Sequence, residues 1–199
     1  MPRCNAVGCN WRHETHHCAL CGDGDSRHVS ADCPRRFACI LGHGTKTGAT
    51  SSITQSGLRV SSEGRLGPGI YFATIPTARV IGKWRNEGEA TVLYHCEVNL
   101  GKVKTMDGLA EDKSGSWRAN YDSCHGMHPP WGGRTEPFRE WVVKSPSQVK
   151  IVGLEICDGT YDGHIHLPGC WINISGRVTF GGNITAGTMV LNGAHVTLR

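Results

Sequence analysis

A glycine-rich turn that leads directly into a short apolar strand constrains this chain more than any other stretch. It covers residues 66–73 and reads Leu-Gly-Pro-Gly-Ile-Tyr-Phe-Ala. The glycines on either side of Pro68 allow the backbone to turn sharply and to lie close to a flat partner. Side chains alternate between the two faces of a strand, so Tyr71 is held at a defined position just after the turn. Alone, the stretch predicts only a turn and a strand, and its meaning depends on the segments around it.

The segments on both sides predict a series of short elements. Upstream, residues 40–45 read Ile-Leu-Gly-His-Gly-Thr, and residues 51–58 are typical of a short helix that ends at Gly57. Downstream, runs of β-branched and apolar residues predict strands over 90–100, 139–143 and 149–156. The chain has 27 glycines in 199 residues, which favours a turn-rich and mainly β architecture.

In this order, the motifs resemble the catalytic domain of the poly(ADP-ribose) polymerase (PARP) family of ADP-ribosyltransferases. The family signature is a His in His-Gly-Ser/Thr, a Tyr in Gly-x-Gly-Ile-Tyr-Phe-Ala and a Glu that opens a late strand. The matching residues here are His43, Tyr71 and Glu140. The Leu-Gly-Pro-Gly, the Leu-Gly-Lys-Val-Lys and the stretch from Trp117 to Ser123 are similar above all to the small, virus-inducible PARP-like proteins. The resemblance covers roughly residues 38–156. It implies an α+β class protein with the ADP-ribosyltransferase fold, a split and mainly antiparallel β-sheet with few short helices.

The resemblance also implies that NAD+ is the substrate, and it gives roles to individual residues. His43 would hydrogen-bond the ribose 2′-hydroxyl, and Tyr71 would stack on the nicotinamide ring. Gly44 would offer its backbone to the carboxamide, where the lack of a β-carbon lets the ligand approach. The other implied NAD+ contacts are Thr45, Gly69 and Thr77. A second stacking Tyr of many relatives is missing at residues 80–82, and Trp84 is a candidate substitute.

Glu140 is the residue on which catalysis would depend. A carboxylate beside the ribose can polarise the 2′-hydroxyl and stabilise the positive charge that develops as the glycosidic bond breaks. Glu136 is the alternative, but the register of the predicted strand Glu140-Trp141-Val142-Val143 favours Glu140. The long polar segment 105–139 is expected to border the acceptor site. It carries Trp117, Tyr121, Cys124, His125, His128 and Trp131.

Cysteine and histidine are concentrated at the N-terminus, where they predict structural zinc. Cys18-x2-Cys21-x6-His28-x4-Cys33 is a close variant of the zinc knuckle, whose ligands return to complete a tetrahedron and which in other proteins binds single-stranded RNA. In the favoured arrangement, Cys4 and Cys9 hold a second ion with two of His13, His16 and His17. In the alternative, one site uses Cys4, Cys9, Cys18 and Cys21. The predicted ligands are Cys4, Cys9, His13, His17, Cys18, Cys21, His28 and Cys33.

The expected organisation is a zinc-binding module over residues 1–37, a transferase domain over 38–156 and a β-rich extension over 157–199. The extension predicts two or three short strands between Trp171 and Leu198. Two further sets of residues are lesser candidates for metal binding. They are Cys124, His125 and His128, and, in the extension, Cys157, His164, His166 and Cys170.

The composition limits the compartment and the partners. The first residues form no apolar leader, so ten cysteines favour thiols and metal ligands in the cytoplasm or nucleus over disulfides. No apolar run reaches the roughly 20 residues that span a bilayer, so no membrane partner is expected. The net charge of +4 allows a nucleic-acid partner without requiring one.

The predicted function is therefore NAD+-dependent mono-ADP-ribosylation, the transfer of single ADP-ribose units to a protein or nucleic-acid acceptor with release of nicotinamide. Two other functions remain open at this stage. One is a zinc-knuckle protein that binds single-stranded RNA and whose transferase fold is vestigial. The other is an NAD glycohydrolase, in which water is the acceptor.

Overall fold

The computed structural model describes residues 39–199, which form a single nine-stranded β-sheet with two α-helices. The predicted zinc module lies outside the described residues. In chain order, the strands of the described part are β1 Cys39–Thr45, β2 Ile70–Ala73, β3 Thr91–Val98, β4 Val103–Thr105, β5 Ser123–His128, β6 Phe138–Val143, β7 Val149–Tyr161, β8 Ile165–Phe180 and β9 Ile184–Leu198. The helices are α1 Thr50–Ser56 and α2 Ile75–Arg85, and short 3-10 turns cover Thr47–Ala49, Ser116–Ala119 and Pro146–Gln148. The spatial order of the strands is β4-β5-β6-β2-β1-β3-β7-β8-β9.

Strand β3 lies next to the central strand β1 and is buried on both faces. It pairs antiparallel with β1 on one side and with β7 on the other. Val92, Leu93, Tyr94 and Cys96 are fully buried, which is why this strand reads as a nearly continuous apolar run. On one face, Ala78 and Ile81 of α2 pack against Leu93. The other face belongs to the main core, which extends into the last strands.

The last three strands wind as a β-solenoid. β7, β8 and β9 are parallel neighbours, yet only residues 162–164 and 181–183 connect them. A straight strand of this length would extend about 50 Å, whereas three residues span about 10 Å. Each strand must therefore bend around and return to the start of the next one. The bends lie at left-handed residues, including Gly159, Gly176 and Gly193, where glycine carries no steric penalty.

Side chains connect the successive coils at these bends. Asp158 accepts a hydrogen bond at 2.8 Å from the backbone nitrogen of Arg177, one coil further on. Asn192 donates to the side chain of Asn173 at 2.7 Å, so two amides stack in neighbouring coils. Buried Ile172, Ile174 and other apolar residues fill the inside.

The predicted split α+β architecture is wrong. The described residues are mostly β, in one sheet whose last strands form a solenoid. The expectation failed because it stopped the main sheet near residue 156, whereas β7 continues through that position to Tyr161 and carries β8 and β9 on its edge. The two or three short strands expected between Trp171 and Leu198 are instead parts of two long strands, β8 and β9.

The lesser metal-binding sets are not supported within residues 39–199, where no group of three or more potential ligands is arranged to hold an ion. Cys124 is buried in a small apolar cluster. Both ring nitrogens of His125 are hydrogen-bonded, to Thr105 at 3.1 Å and Arg139 at 3.2 Å. In the extension, the Cys170 thiol donates to the Ile151 carbonyl at 3.1 Å. Within the same described range, neither helix has the length and apolar character needed to cross a membrane.

Candidate active site

Three neighbouring strands bring the predicted catalytic residues to one pocket. Gly42 of β1 pairs with Ala73 of β2, and Ala73 pairs with Glu140 of β6, so these positions lie level across the sheet. Adjacent strands are about 4.8 Å apart, which puts the outer two backbones about 10 Å from each other. His43 follows Gly42, and Tyr71 precedes Ala73 by two residues. The pocket is lined by Gly42, His43, Gly44, Tyr71, Phe72, Ala73, Ala78, Ile81, Arg85, Trp131, Phe138 and Glu140.

The pocket adjoins a wider cleft, with which it shares lining residues. The inner pocket has a volume of about 40 Å³ and the cleft about 310 Å³, and both are bordered by His43, Tyr71, Arg85, Trp131 and Glu140. A benzene-sized ligand occupies a cavity of about 150 Å³. The inner pocket is smaller than this, so an aromatic ligand must extend into the cleft or displace the side chains at its rim.

His43 is neutral and presents a hydrogen-bond acceptor. Its Nδ1 lies 2.9 Å from the backbone oxygen of Tyr71. A carbonyl oxygen can only accept, so Nδ1 carries the proton and donates it. Burial lowers the pKa of His43, and the positive charge of Arg85 acts in the same direction. In the neutral ring the remaining nitrogen, Nε2, is therefore an acceptor for a ligand hydroxyl.

Tyr71 is held by its own hydroxyl group. This group donates to the Gly67 carbonyl and accepts a bond from the Leu66 nitrogen at 3.1 Å, which closes the glycine-rich turn onto the ring. Burial, followed by the charge of Glu140, raises the pKa of Tyr71, so the phenol stays protonated. Gly64 is needed here because a β-carbon at that position would lie 2.6 Å from Cε2 of the Tyr71 ring, and closer still to Cζ and the hydroxyl oxygen. The ring is therefore fixed while it faces the pocket.

The turn itself is clamped by the long segment between β4 and β6. The indole of Trp117 donates to the Leu66 carbonyl at 2.6 Å, and Arg118 donates to the Pro68 carbonyl at 2.5 Å. Asp112 accepts bonds from Ser114 and from nearby backbone and hydroxyl groups, which lower its pKa to about 2. This segment thus supports the stretch that carries Tyr71.

Glu140 has a buried carboxylate oxygen without a hydrogen-bond partner among the described residues. The atom is Oε2, and it is shielded from solvent. Burial raises the pKa of Glu140 to about 7, although the charges of Arg65 and Arg85 oppose the shift. Leaving a buried polar atom unpaired costs about 1–3 kcal/mol, and more for a charged group. Such an atom in a pocket is suited to a ligand that donates a hydrogen bond or carries positive charge.

Arg85 and Trp131 are site residues whose roles the sequence analysis did not identify. Arg85 is the last residue of α2, and its guanidinium lies 5.7 Å from the centre of the Trp131 ring. Arg85 follows Ala78 by seven residues and Ile81 by four, so the three side chains lie on one face of the helix. That spacing was the available signal. Trp131 was assigned only to a segment near the acceptor site, and nothing in its sequence context indicates that it reaches the pocket.

The other predicted contacts divide into two groups. Gly44 lines the inner pocket and Gly69 borders the cleft. Thr45 and Thr77 are buried and line neither space, and the Thr77 hydroxyl accepts a bond from Thr74 at 3.0 Å. Trp84 is half exposed and lines neither space, whereas Trp131 lines both of them together with Tyr71.

Glycine at position 44 is also required by packing. A β-carbon there would lie 2.6 Å from the Gly82 nitrogen, so the missing side chain permits the contact between β1 and α2. The expected contact of Gly44 with a ligand stays a prediction.

No family model matches this chain, and no curated protein matches it. The resemblance to the PARP family therefore stays a prediction.

Proposed function

We propose that this protein is an NAD+-dependent ADP-ribosyltransferase that transfers single ADP-ribose units and releases nicotinamide. The observation that carries the proposal is the unpaired, buried Oε2 of Glu140 in the pocket that His43 and Tyr71 also line. The proposal rests on these side chains and not on the fold class, since the same chemistry can be supported by different folds.

The side chains of the pocket and cleft fit the chemical features of NAD+. A flat pyridinium ring suits the aromatic side chains of Tyr71, Trp131 and Phe138, and its positive charge suits the carboxylate of Glu140. Pyrophosphate suits the arginines of the cleft, which include Arg59 and Arg65. Arg65 is kept in position by its ion pair with Glu111 at 2.7 Å.

In the proposed reaction, NAD+ supplies a ribose whose bond to a positively charged leaving group can break. His43 accepts a hydrogen bond from a ribose hydroxyl through Nε2, which orients the sugar. The Glu140 carboxylate, which lines the same pocket, stabilises the positive charge that develops on the ribose. This interaction is stronger in the transition state than in the ground state, so it accelerates the reaction.

The proposal is tested by incubating the purified chain with NAD+ labelled in its adenylate half. We expect label to be retained on macromolecules and nicotinamide to be released. Free labelled ADP-ribose without retained label would favour hydrolysis, and intact NAD+ would contradict the proposal.

Glu140→Gln is the decisive variant because it removes the charge and keeps the shape. We expect it to slow turnover by about 100-fold or more, the usual effect of removing an electrostatic contact to the transition state. Glu136→Gln is the matched control, since Glu136 is exposed and borders neither the pocket nor the cleft. Equal rates in the two variants would contradict the assignment of Glu140.

The zinc module belongs to the proposal as a structural unit that helps to select the target. Its eight predicted ligands would hold about two ions in closed tetrahedral sites. Metal analysis of the purified chain is the test, and less than one equivalent of zinc would contradict it.

A further inference from the structure

A second, open groove adjoins the pocket at Arg85. It has a volume of about 740 Å³, which is in the range of ligand-binding sites. Its lining includes Lys46, Lys83, Trp84 and Gly133, and Arg85 borders both this groove and the inner pocket. A molecule in the groove therefore lies next to the residues of the proposed reaction.

Two partly exposed tryptophans form an aromatic surface beside this groove. Trp84 is 50% exposed and Trp131 is 38% exposed, and their ring centres are 5.1 Å apart at an angle of 57°. Both side chains present ring surface to solvent although large apolar side chains are usually covered.

The loop after Trp131 packs closely against α2, the helix that carries Trp84. Gly132 and Gly133 have φ values of 63° and 79°, a conformation that favours glycine. A β-carbon at Gly133 would lie 3.3 Å from the β-carbon of Trp84, so the loop backbone is in close contact with the helix. A ligand that stacks here does not have to order the loop first.

The groove is positively charged. Lys46, Lys83 and Arg85 line it, and Glu87 is the single acidic residue among its lining side chains. Cations beside exposed aromatic rings are the combination by which proteins hold single-stranded nucleic acid, since the cations follow the phosphates and the rings stack on bases. An acidic peptide would match the cations but would leave the aromatic surface uncovered.

We propose that this groove binds single-stranded nucleic acid and that the bound strand is the acceptor of the transferred ADP-ribose. The acceptor part rests on the function proposed above, whereas the binding part does not. In the transfer, a hydroxyl oxygen of the strand bonds to the ribose carbon as the bond from that carbon to the nicotinamide nitrogen breaks. The bonding electron pair leaves with nicotinamide, which becomes neutral, and the hydroxyl proton passes to the Glu140 carboxylate and then to solvent.

Binding is tested on the full chain, without NAD+, by the fluorescence anisotropy of a labelled oligouridylate of about 12 nucleotides. Trp84→Ala should weaken binding about tenfold or more, because stacking on one base is lost, and Trp84→Phe should restore part of the affinity. Lys83→Glu should weaken binding and make it less dependent on salt. The magnitude of the negative slope of log affinity against log salt should fall by about one or more. Residues 1–38 are present in every variant, so any contribution from them is the same throughout.

Lys150→Glu is the matched control because it makes the same charge change at an exposed lysine outside the groove. Affinity that falls equally in Lys83→Glu and Lys150→Glu would show a non-specific charge effect and overturn the groove assignment. Unchanged affinity in both Trp84→Ala and Lys83→Glu would overturn it as well. Circular dichroism and thermal unfolding of each variant separate loss of binding from loss of folding.

Transfer is tested by adding labelled NAD+ and separating protein from oligonucleotide. Label on the oligonucleotide, reduced by Trp84→Ala and Lys83→Glu, supports the proposal. Label on protein alone would overturn the acceptor assignment while the proposed function stands. Groove-dependent binding without NAD+ turnover would overturn the proposed function and the acceptor assignment, and it would leave the binding part supported.

Discussion

At the residue scale, Glu140 couples function to a cost in stability. Burial raises its carboxyl pKa from the ordinary value of 4.5 to about 7 in the folded protein. Between these values the folded state binds the proton more tightly, so the contribution of Glu140 to stability falls as the pH rises through this window. Glutamine does not titrate. We therefore compare the unfolding free energy of Glu140→Gln with that of the parent at two pH values. The difference, variant minus parent, should rise by about 2 kcal/mol from about pH 5 to about pH 8.

Urea unfolding of both proteins at the two pH values measures this difference. Any effect of the amide itself is present at both values, so the change with pH isolates the titration of the carboxyl group. A difference that stays constant, or that grows toward acid, would contradict the buried and unpaired state of Glu140.

Arg85 should set the pH at which Glu140 works. Its positive charge lowers the pKa of Glu140, and removing that charge lets the pKa rise above about 7. We expect Arg85→Met to move the acidic limb of the pH profile of NAD+ turnover toward higher pH. Arg79→Met is the control, because Arg79 lies on the same helix but pairs with Glu155 through bonds of 3.0 and 2.9 Å. A profile that moves equally in both variants would contradict a direct effect of Arg85.

At the element scale, the contact between β1 and α2 determines the shape of the inner pocket. Gly44→Ala would bring a methyl group to 2.6 Å from the Gly82 nitrogen, which is backbone and cannot rotate away. We expect a loss of about 1–3 kcal/mol in unfolding free energy. Gly48→Ala is the matched control, because nothing lies within 4 Å of a β-carbon at that position. Equal stability of the two variants in denaturant would contradict the close packing of the helix on the strand.

The turn before β2, the helix ending at Gly57 and the strands β3 and β6 were predictable because each carries a local signal, such as a left-handed glycine or a β-branched run. The meeting of His43, Tyr71 and Glu140 was expected only through the family resemblance. Trp131 reaches the pocket through a loop conformation that no local pattern specifies.

The solenoid was missed for a different physical reason. Its coils are defined by contacts between residues about 18 positions apart, such as Gly153 with Trp171 and Ile174 with Leu191. A search for alternation within one strand does not detect such contacts. The glycines at 159, 176 and 193, which are 17 residues apart, were the available sign of a repeat.

At the scale of the whole molecule, the described sheet ends in an apolar strand that lacks a neighbour. This strand is β9, and its Leu191 pairs in register with Ile174 of β8. Ile174 is fully buried, whereas Leu191 is 55% exposed. Leu198, opposite the buried Phe180, is 72% exposed. Residues 184–198 contain no Asp, Glu, Lys or Arg, although such charges are the usual protection of an edge strand.

This edge should make the protein associate as its concentration rises, and one lysine should reduce that association. Leu191→Lys puts a charge on the edge where the side chain already faces solvent, so we expect weaker association and a change in stability of less than about 1 kcal/mol. Ile174→Lys, one coil inward in the same column, buries an unpaired charge and should cost about 4 kcal/mol or more. Sedimentation over a range of concentrations and thermal unfolding measure the two effects. If Leu191→Lys destabilised the fold as much as Ile174→Lys, then β9 would be covered in solution, and the contrast between the last two coils would be wrong.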